Sequence, residues 1–498
     1  MRIPGYAWRL ALRSHRRYAI FSVHGNEGSH KYRLVDTVHK TFHQFRRGSL
    51  ELQDALVILA SRPYASWLQD DHFMAALVDP FMGNLTARRL PPSKEFNVLA
   101  AVVDGLHPLR AMGDIPHGFS FFYGPMAYMM PTLWKDGGQP EPLRESKLQA
   151  AITFQTTRKD LADRVECKLP LANTIFQNGL QSTLLASRWH RPELDELPKL
   201  LQVTEKQSQD VIYWEPPDGL ATRVEPPLVP ITAPRKILAG LGNIVRQIDV
   251  DGKETPASAE LETAVNELYA RRTKEGHKFP PGPVGVWAMV VPPGPCQAAD
   301  LKLLQEWTGD LSEIQTAYDE WGEALAFKGL FQEFLRRGSR VYKILSGGGG
   351  WGKKQGLLSL DPETTYSASS EEEDLESFIR SFENRHMEGA EQGVVSPGAY
   401  IQFFVSPPMS ARPDPPRPRG STFVYSFGTS VDATSEESPS TGRGSSEWNV
   451  VPEHFGAVSN HGLFVKHQTI VTDTTDFVTE SKLDVPGTWV GCLKESNT

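Results

Sequence analysis

The residues whose types and spacing best suit chemistry are Gly347-Gly348-Gly349-Gly350-Trp351-Gly352-Lys353-Lys354. Four successive glycines are costly in backbone entropy unless the chain must turn sharply or admit something close. Consecutive unencumbered N–H groups form an anion-holding concavity, Lys353 and Lys354 add positive charge, and Trp351 offers a stacking face. The chemistry this suits is the holding of a phosphate- or carboxylate-bearing ligand, or the docking of a partner. A tight turn closed by packing of Trp351 is the plain structural alternative. Gly347 through Lys353 also satisfies GxxxxGK, but Lys354 stands where a P-loop needs Ser or Thr for magnesium. Gly356 and Asp361-Pro362 interrupt the helix that should follow, and the Walker-B-like run Val98 to Asp104 lies upstream, in reverse of the usual order. A P-loop hydrolase is not the expectation.

Weaker candidates lie elsewhere. Gly240-Leu241-Gly242-Asn243 follows an apolar run but lacks the third glycine of a dinucleotide fingerprint, so packing explains it better. Asp104, beside Gly105 and His107 after an apolar strand, has the type of an acid or base, with turn capping as the ordinary explanation. His454, His461 and His467 are imaginable ligands, but their spacing is not helical and no acid–His pattern frames them. There is no GxSxG, no HExxH and no papain-like cysteine context. No catalytic residue, metal site or cofactor is assigned from the sequence.

The elements that must position these residues read as follows. Helices are expected over Leu50 to Ala60, with Ser49 as N-cap, and over His72 to Val78. Val98 to Val103, Phe119 to Tyr123 and Ala150 to Phe154 are apolar runs bounded by Gly, Pro and Asp, the pattern of buried strands. A hairpin is expected from Leu171 to Trp189 around Asn178-Gly179, since Asn-Gly takes the positive φ values of a type I′ turn. Residues 203–234 are proline-rich and read as an irregular boundary.

Beyond that boundary come an apolar run at Lys236 to Ile248, a helix from Ala259 to Arg272 capped by Ser258, and a strand at Val284 to Val291. A long helix is expected from Leu311 to Arg337, with Asp310 and Glu313 as a capping-box variant and Gly338 at C′. It feeds a strand at Val341 to Leu345. An amphipathic helix is expected from Glu371 to Arg385, with Leu375, Phe378, Ile379 and Phe382 inward, then strands at Tyr400 to Val405 and Phe423 to Phe427. Pro407 to Gly420 and Thr429 to Ser446 have the composition of disordered loops. Lys236-Ile237-Leu238-Ala239-Gly240 and Lys343-Ile344-Leu345-Ser346-Gly347 echo each other, though five residues do not establish a duplication.

A chain of 498 residues exceeds the roughly 250 to 300 at which single cores stop growing. The expected fold class is α+β, a mixed two-domain globular protein. It comprises a leader over residues 1–18, an N-terminal α+β domain over 40–202, a proline-rich linker over 203–234 and an α/β domain bearing the glycine-rich loop over 235–406. Mostly disordered loops around a short strand follow over 407–446, then a strand-rich segment over 447–498. The three cysteines, Cys167, Cys296 and Cys492, form no CxxC pair, which fits a reducing compartment. The apolar stretch Val284 to Val291 is cut short by Pro292 and Pro293, and no run nears the roughly 18 residues of a membrane span.

The leader carries Arg2, Arg9, Arg13, Arg16 and Arg17, and the first acidic residue is Glu27. With Ile3, Tyr6, Ala7, Trp8, Leu10 and Leu12 it has the composition of a mitochondrial transit peptide, and Arg16-Arg17-Tyr18-Ala19 suits matrix processing. A basic first helix of a cytosolic protein is the alternative. Residues 1–48 hold ten Lys plus Arg against two acids, which leaves the remainder at net −16 and disfavours generic nucleic-acid binding. The expected function is that of a soluble accessory or scaffold protein of the mitochondrial matrix that joins a protein complex, in organelle gene expression or complex assembly. The alternative is an enzyme or small-ligand binder holding a phosphate-bearing compound at Gly347 to Lys354.

Overall fold

In a computed structural model the described residues are 18–494 apart from 26–28, 46–52, 83–94, 109–114, 136–148, 158–162, 194–195, 215–221, 275–284, 309–310, 312–329, 348–355, 365, 367–394, 397, 407–421, 431–447 and 472–474. The first half supplies strands β1 Ala19–Gly25, β2 Ala55–Ser61, β3 Glu95–Val103, β4 His117–Gly124, β5 Ala151–Thr157, β6 Asp163–Pro170, β7 Leu184–His190, β8 Lys199–Glu205, β9 Ser208–Trp214, β10 Thr222–Glu225 and β11 Val229–Pro230. The middle supplies β12 Arg235–Leu241, β13 Ile244–Val250, β14 Lys253–Pro256, β15 Val286–Val291, β16 Arg340–Gly347, β17 Leu358–Leu360 and β18 Tyr400–Val405. The tail supplies β19 Thr422–Thr429, β20 Asn449–Pro452, β21 Phe455–Ser459, β22 Leu463–Val471, β23 Thr475–Leu483 and β24 Trp489–Lys494. The longer helices are α1 Lys31–Phe45, α2 Asp71–Met82, α3 Ala257–Lys274, α4 Gln297–Thr308 and α5 Leu330–Arg336. The fold is mixed α/β and dominated by strands.

A seven-stranded sheet, order β20-β1-β4-β2-β3-β7-β8, is covered on one face by α1 and α2. Its strands alternate accordingly: Leu56, Ile58 and Ala60 face the helices while Val57 and Leu59 face the opposite core. That opposite core is roofed by a five-stranded sheet, β23-β22-β6-β5-β9, and a four-stranded one, β10-β24-β19-β21. Phe122, Phe154, Tyr213, Phe427 and Phe455 from all three sheets pack there, mostly tilted, at 4.8–6.5 Å between ring centroids. Tail strands interleave with early ones, since β20 pairs β1, β22 pairs β6 and β24 pairs β10.

The third unit is a closed antiparallel barrel, β18-β12-β13-β17-β16-β15, sealed by the β15–β18 pairing. Its interior is filled by Ile237, Val245, Ile248, Tyr342, Leu358 and Phe403 together with Leu261 and Leu268 of α3. Its outer residues Trp287, Met289, Val341 and Phe404 pack on the shared core with Leu304 of α4 and Phe331 of α5. The two echoing pentapeptides lie on β12 and β16, at equivalent places. Each carries a bulge at its leucine, between Ile237 and Ala239 and between Ile344 and Ser346. Lys236 lies opposite Tyr400 and Lys343 opposite Trp287, while the antiparallel pairs Val245–Leu358 and Met289–Gln402 sit where a two-fold axis would cross the barrel. Two hairpin-plus-strand halves, β12–β13 with β15 and β16–β17 with β18, therefore interlock about that axis. Their registers agree at these points and at the leucine bulge, although β12–β13 carries a second shift, between Ala239 and Gly240, that β16–β17 lacks.

Several expectations are corrected. Leu50 to Ala60 holds no helix among its described residues but the strand β2, all of whose residues are buried; a central strand covered on both faces has no period-2 signal to distinguish its apolar run from a helix. Of the hairpin expected over Leu171 to Trp189, the second strand, Thr183 to Trp189, is present as β7, but its first strand and turn give way to a short helical turn, Ile175–Asn178, which Gly179 ends at φ +80° with its N–H on the Ile175 carbonyl at 3.1 Å. Asn178-Gly179 thus supplies one positive φ to a helix end rather than two to a hairpin. Residues 203–234, read as irregular, contain the end of β8 and all of β9, β10 and β11. Thr429 is not in a loop: it ends β19 and is buried.

The strands expected at Val98, Phe119, Ala150, Val284, Val341, Tyr400 and Phe423 and the helices at His72 and Ala259 are present, with small shifts at their ends. Gly338 takes φ +101° and ends α5, its N–H on the Leu335 carbonyl. Residues 1–17 of the leader, most of Leu311 to Arg337, the Glu371 to Arg385 helix, and the stretches Pro407 to Gly420 and 431–446 lie outside the described residues. Among the described residues no helix is long and apolar enough to cross a membrane.

Candidate functional site

Of the glycine-rich segment, Gly347 is the last residue of β16, opposite Leu358 of β17. Gly348, Gly349, Gly350, Trp351, Gly352, Lys353 and Lys354 lie outside the described residues. The chain returns at Gly356, whose φ of +89° favours glycine and whose added Cβ would sit 3.1 Å from Cβ of Pro256. The segment is thus the connection of the second barrel hairpin. Gly240 and Gly242 belong to the first: Leu241 lies opposite Ile244, and Gly242 (φ +61°) and Asn243 form its turn.

One residue along from Gly347, the barrel wall presents apolar side chains to solvent. Leu241 (84% exposed) pairs with Ile244 (37%), Ile244 lies opposite Ser359, and Ser359 opposite Ser346, beside the bulged Leu345 (57%). The row crosses four adjacent strands, β12, β13, β17 and β16. The β16 bulge contributes, because an extra residue in one strand is left without a cross-strand mate and turns its side chain outward; Leu238, at the β12 bulge, is exposed in the same way. Single exposed leucines are ordinary, whereas Leu241 and Ile244 on paired strands, with Leu345 beyond Ser359, form a surface that a partner can cover.

The titratable groups that the fold does bring together are His24, His107 and His454. Ser22 and His24, two apart on β1, face the four-stranded sheet. Ser22 Oγ lies 3.0 Å from Nε2 of His24 and 2.8 Å from Nδ1 of His454, and the two rings meet edge-on at 5.9 Å. A hydroxyl donates only one proton, so at least one of these imidazoles must present N–H to Ser22. His454 is delivered by Glu453, whose φ of +54° turns the chain between β20 and β21 and whose N–H bonds the Ile20 carbonyl at 3.0 Å. His107 is accommodated by glycines: a Cβ on Gly428 would come within 2.7 Å of its ring and one on Gly456 within 3.0 Å of its Cβ.

Burial lowers His24 and His107 to about 4 and His454 to about 3, the last helped by the two neighbouring imidazoles, so all three are neutral near pH 7. Although Ser22 and His454 stand at nucleophile–base distance, Ser22 is fully buried and its oxygen is engaged on both sides. What this arrangement does is tie β1, β3's exit and the tail together.

Asp104 falls beside this cluster. It pairs with Arg62 and accepts the N–H of Asn460 at 2.9 Å, while Gly105 bridges Val458, so its carboxylate clamps the carboxyl end of β3 to the turn after β21. That outcome is the capping role, with a distant partner. His461 is exposed and His467 is buried on β22, so the tail histidines do not converge. The cluster His454 does join escapes sequence reading, because its members are separated by hundreds of residues and share no motif. Among the described residues no group of three or more His, Cys, Asp or Glu is arranged to hold a metal ion. Comparison with family models, curated proteins and solved structures finds no match for this chain.

Proposed function

We propose that this chain is an accessory or scaffold protein of the mitochondrial matrix that docks a macromolecular partner, in organelle gene expression or complex assembly, through the outer wall of the barrel. The observation that carries the reading is the exposure of Leu241, Ile244 and Leu345 on β12, β13 and β16, joined across β17 through Ser359. The arginine-rich, acid-free first 26 residues support the address, and the acidic remainder of the chain favours a protein over a nucleic acid as partner. A second reading, an enzyme or ligand binder with a phosphate-bearing compound on Gly347 to Lys354, rests on the anchoring of that glycine-rich connection at Gly347 of β16 and Leu358 of β17.

Affinity purification from isolated mitochondria separates the two. The wild type is compared with Leu241→Asp/Leu345→Asp and with Lys353→Ala/Lys354→Ala, and small molecules are recovered from each eluate. A defined set of subunits lost only from the leucine variant supports barrel docking. A phosphorylated metabolite lost only from the lysine variant supports the ligand reading, and absence of the protein from mitochondria contradicts the address.

A further inference from the structure

The seven-stranded sheet ends at β8, and among the described residues no strand pairs with its outer edge. The seven residues of β8, Lys199-Leu200-Leu201-Gln202-Val203-Thr204-Glu205, are exposed except for Leu200, which packs against the helical layer. Leu201 is the extra residue of a bulge against β7, and Leu201 and Val203 are 53% and 54% exposed. Pro198, Lys199 and the bulge limit which strands can add here, but the exposed apolar side chains still offer a template to a strand that matches them.

The order of residues says which strand. Antiparallel pairing of β8 with β8 of a second copy, centred on Gln202, sets Lys199 against Glu205 at both ends and Leu201 against Val203 in between. Parallel pairing instead opposes Lys199 to Lys199 and Glu205 to Glu205. Among the described residues Lys199 pairs with Glu196, at 3.0 Å between exposed side chains, a contact weak enough to yield. Pro198, just before the strand, bounds the ladder at that end. We infer that β8 is the seam of a homodimer in which two seven-stranded sheets join edge to edge about a two-fold axis at Gln202. This stands apart from the barrel surface and from the partner proposed for it.

One strand pair with Leu197, Leu201 and Val203 from each side is a small seam, so the dimer belongs to the weak class, with a Kd on the order of 10 µM. Sedimentation of the purified full chain across concentrations brackets that value, and cysteine cross-linking reads the register. Gln202→Cys places two sulfurs on the axis, where antiparallel partners have Cα atoms about 4.5–5.5 Å apart, within disulfide reach. Lys199→Cys places its pair roughly 20 Å apart, at about 3.4 Å per residue, out of reach. The expected result is a concentration-dependent dimer, a disulfide-linked dimer from Gln202→Cys but not from Lys199→Cys or the wild type, and at least a tenfold weaker association in Val203→Lys. Because Val203 is exposed, that variant should keep the wild-type melting temperature. A monomer at all concentrations, equal cross-linking at 199 and 202, or a dimer indifferent to Val203→Lys would overturn the inference, as would an edge that pairs only with a foreign strand.

Discussion

At the scale of single residues the account turns on buried groups held in one protonation state. His24, His107 and His454 have folded-state values of about 4, 4 and 3, whereas exposed imidazole titrates near 6.5. Between those limits the unfolded chain binds more protons than the folded one. The stability held in the neutral histidines is therefore complete above about pH 6.5 and is lost as pH falls toward 4, at up to about 1.4 kcal/mol per pH unit for each histidine. Urea unfolding at pH 7.5, 6 and 5 should show a steep decline in the wild type and a shallower one in His454→Asn, the latter starting from a lower value at pH 7.5. Parallel declines would argue that His454 is not held neutral.

The glycines around the cluster give a second test. A Cβ on Gly456 would lie 2.2 Å from the Ser426 carbonyl oxygen, and backbone cannot move aside as a flexible side chain does. Gly456→Ala should cost about 1–3 kcal/mol in urea unfolding, the range of overpacked cores. A neutral result would mean that β19 and β21 are not as closely apposed as described.

Among elements, the junction of β3 with the tail is the most exposed to a single change. Asp104 has a side chain only 4% exposed, pairs with Arg62 and caps Asn460. Asp104→Asn removes the ion pair with the solvent-accessible Arg62 and weakens the bond from Asn460, and should lower stability by about 1–2 kcal/mol. Thermal unfolding measures this. A loss of a bound ligand with unchanged stability would instead return Asp104 to a chemical role.

The elements that could be read from sequence are those whose surroundings leave a local mark. Val98 to Val103 and Phe119 to Tyr123 are bounded by turn residues, and α3 carries Leu261 and Leu268 on one stripe. β2 carries no such mark, because both its faces are buried and Ala-Leu-Val-Ile-Leu-Ala reads equally as helix. The strands β9 to β11 were obscured by the prolines between them, which shape the connections and not the pairing. The candidate site was legible only in its anchor. The pentapeptide echo and the exposed leucines are in the sequence, but that Leu241, Ile244 and Leu345 fall on one row depends on which barrel strands are neighbours. The histidine cluster depends on a pairing between residues 22 and 454, which no local pattern encodes.

For the whole molecule, three sheets and a barrel of two similarly arranged halves share one core, and the tail closes it by pairing with the earliest strands. Among the described residues the barrel row and the β8 edge are distinct open surfaces, and the barrel row is the one proposed for the partner. Leu241→Asp/Leu345→Asp changes exposed positions, so its melting temperature should match the wild type within a few degrees. The most direct test is the native mass of the tagged full chain released gently from purified, protease-treated mitochondria. The account predicts that the wild type is protease-protected and migrates well above twice its own 55.4 kDa, and that the leucine variant, equally protected, falls to the mass of monomer or dimer. A wild type that already migrates as monomer or dimer, or one found outside mitochondria, would contradict it.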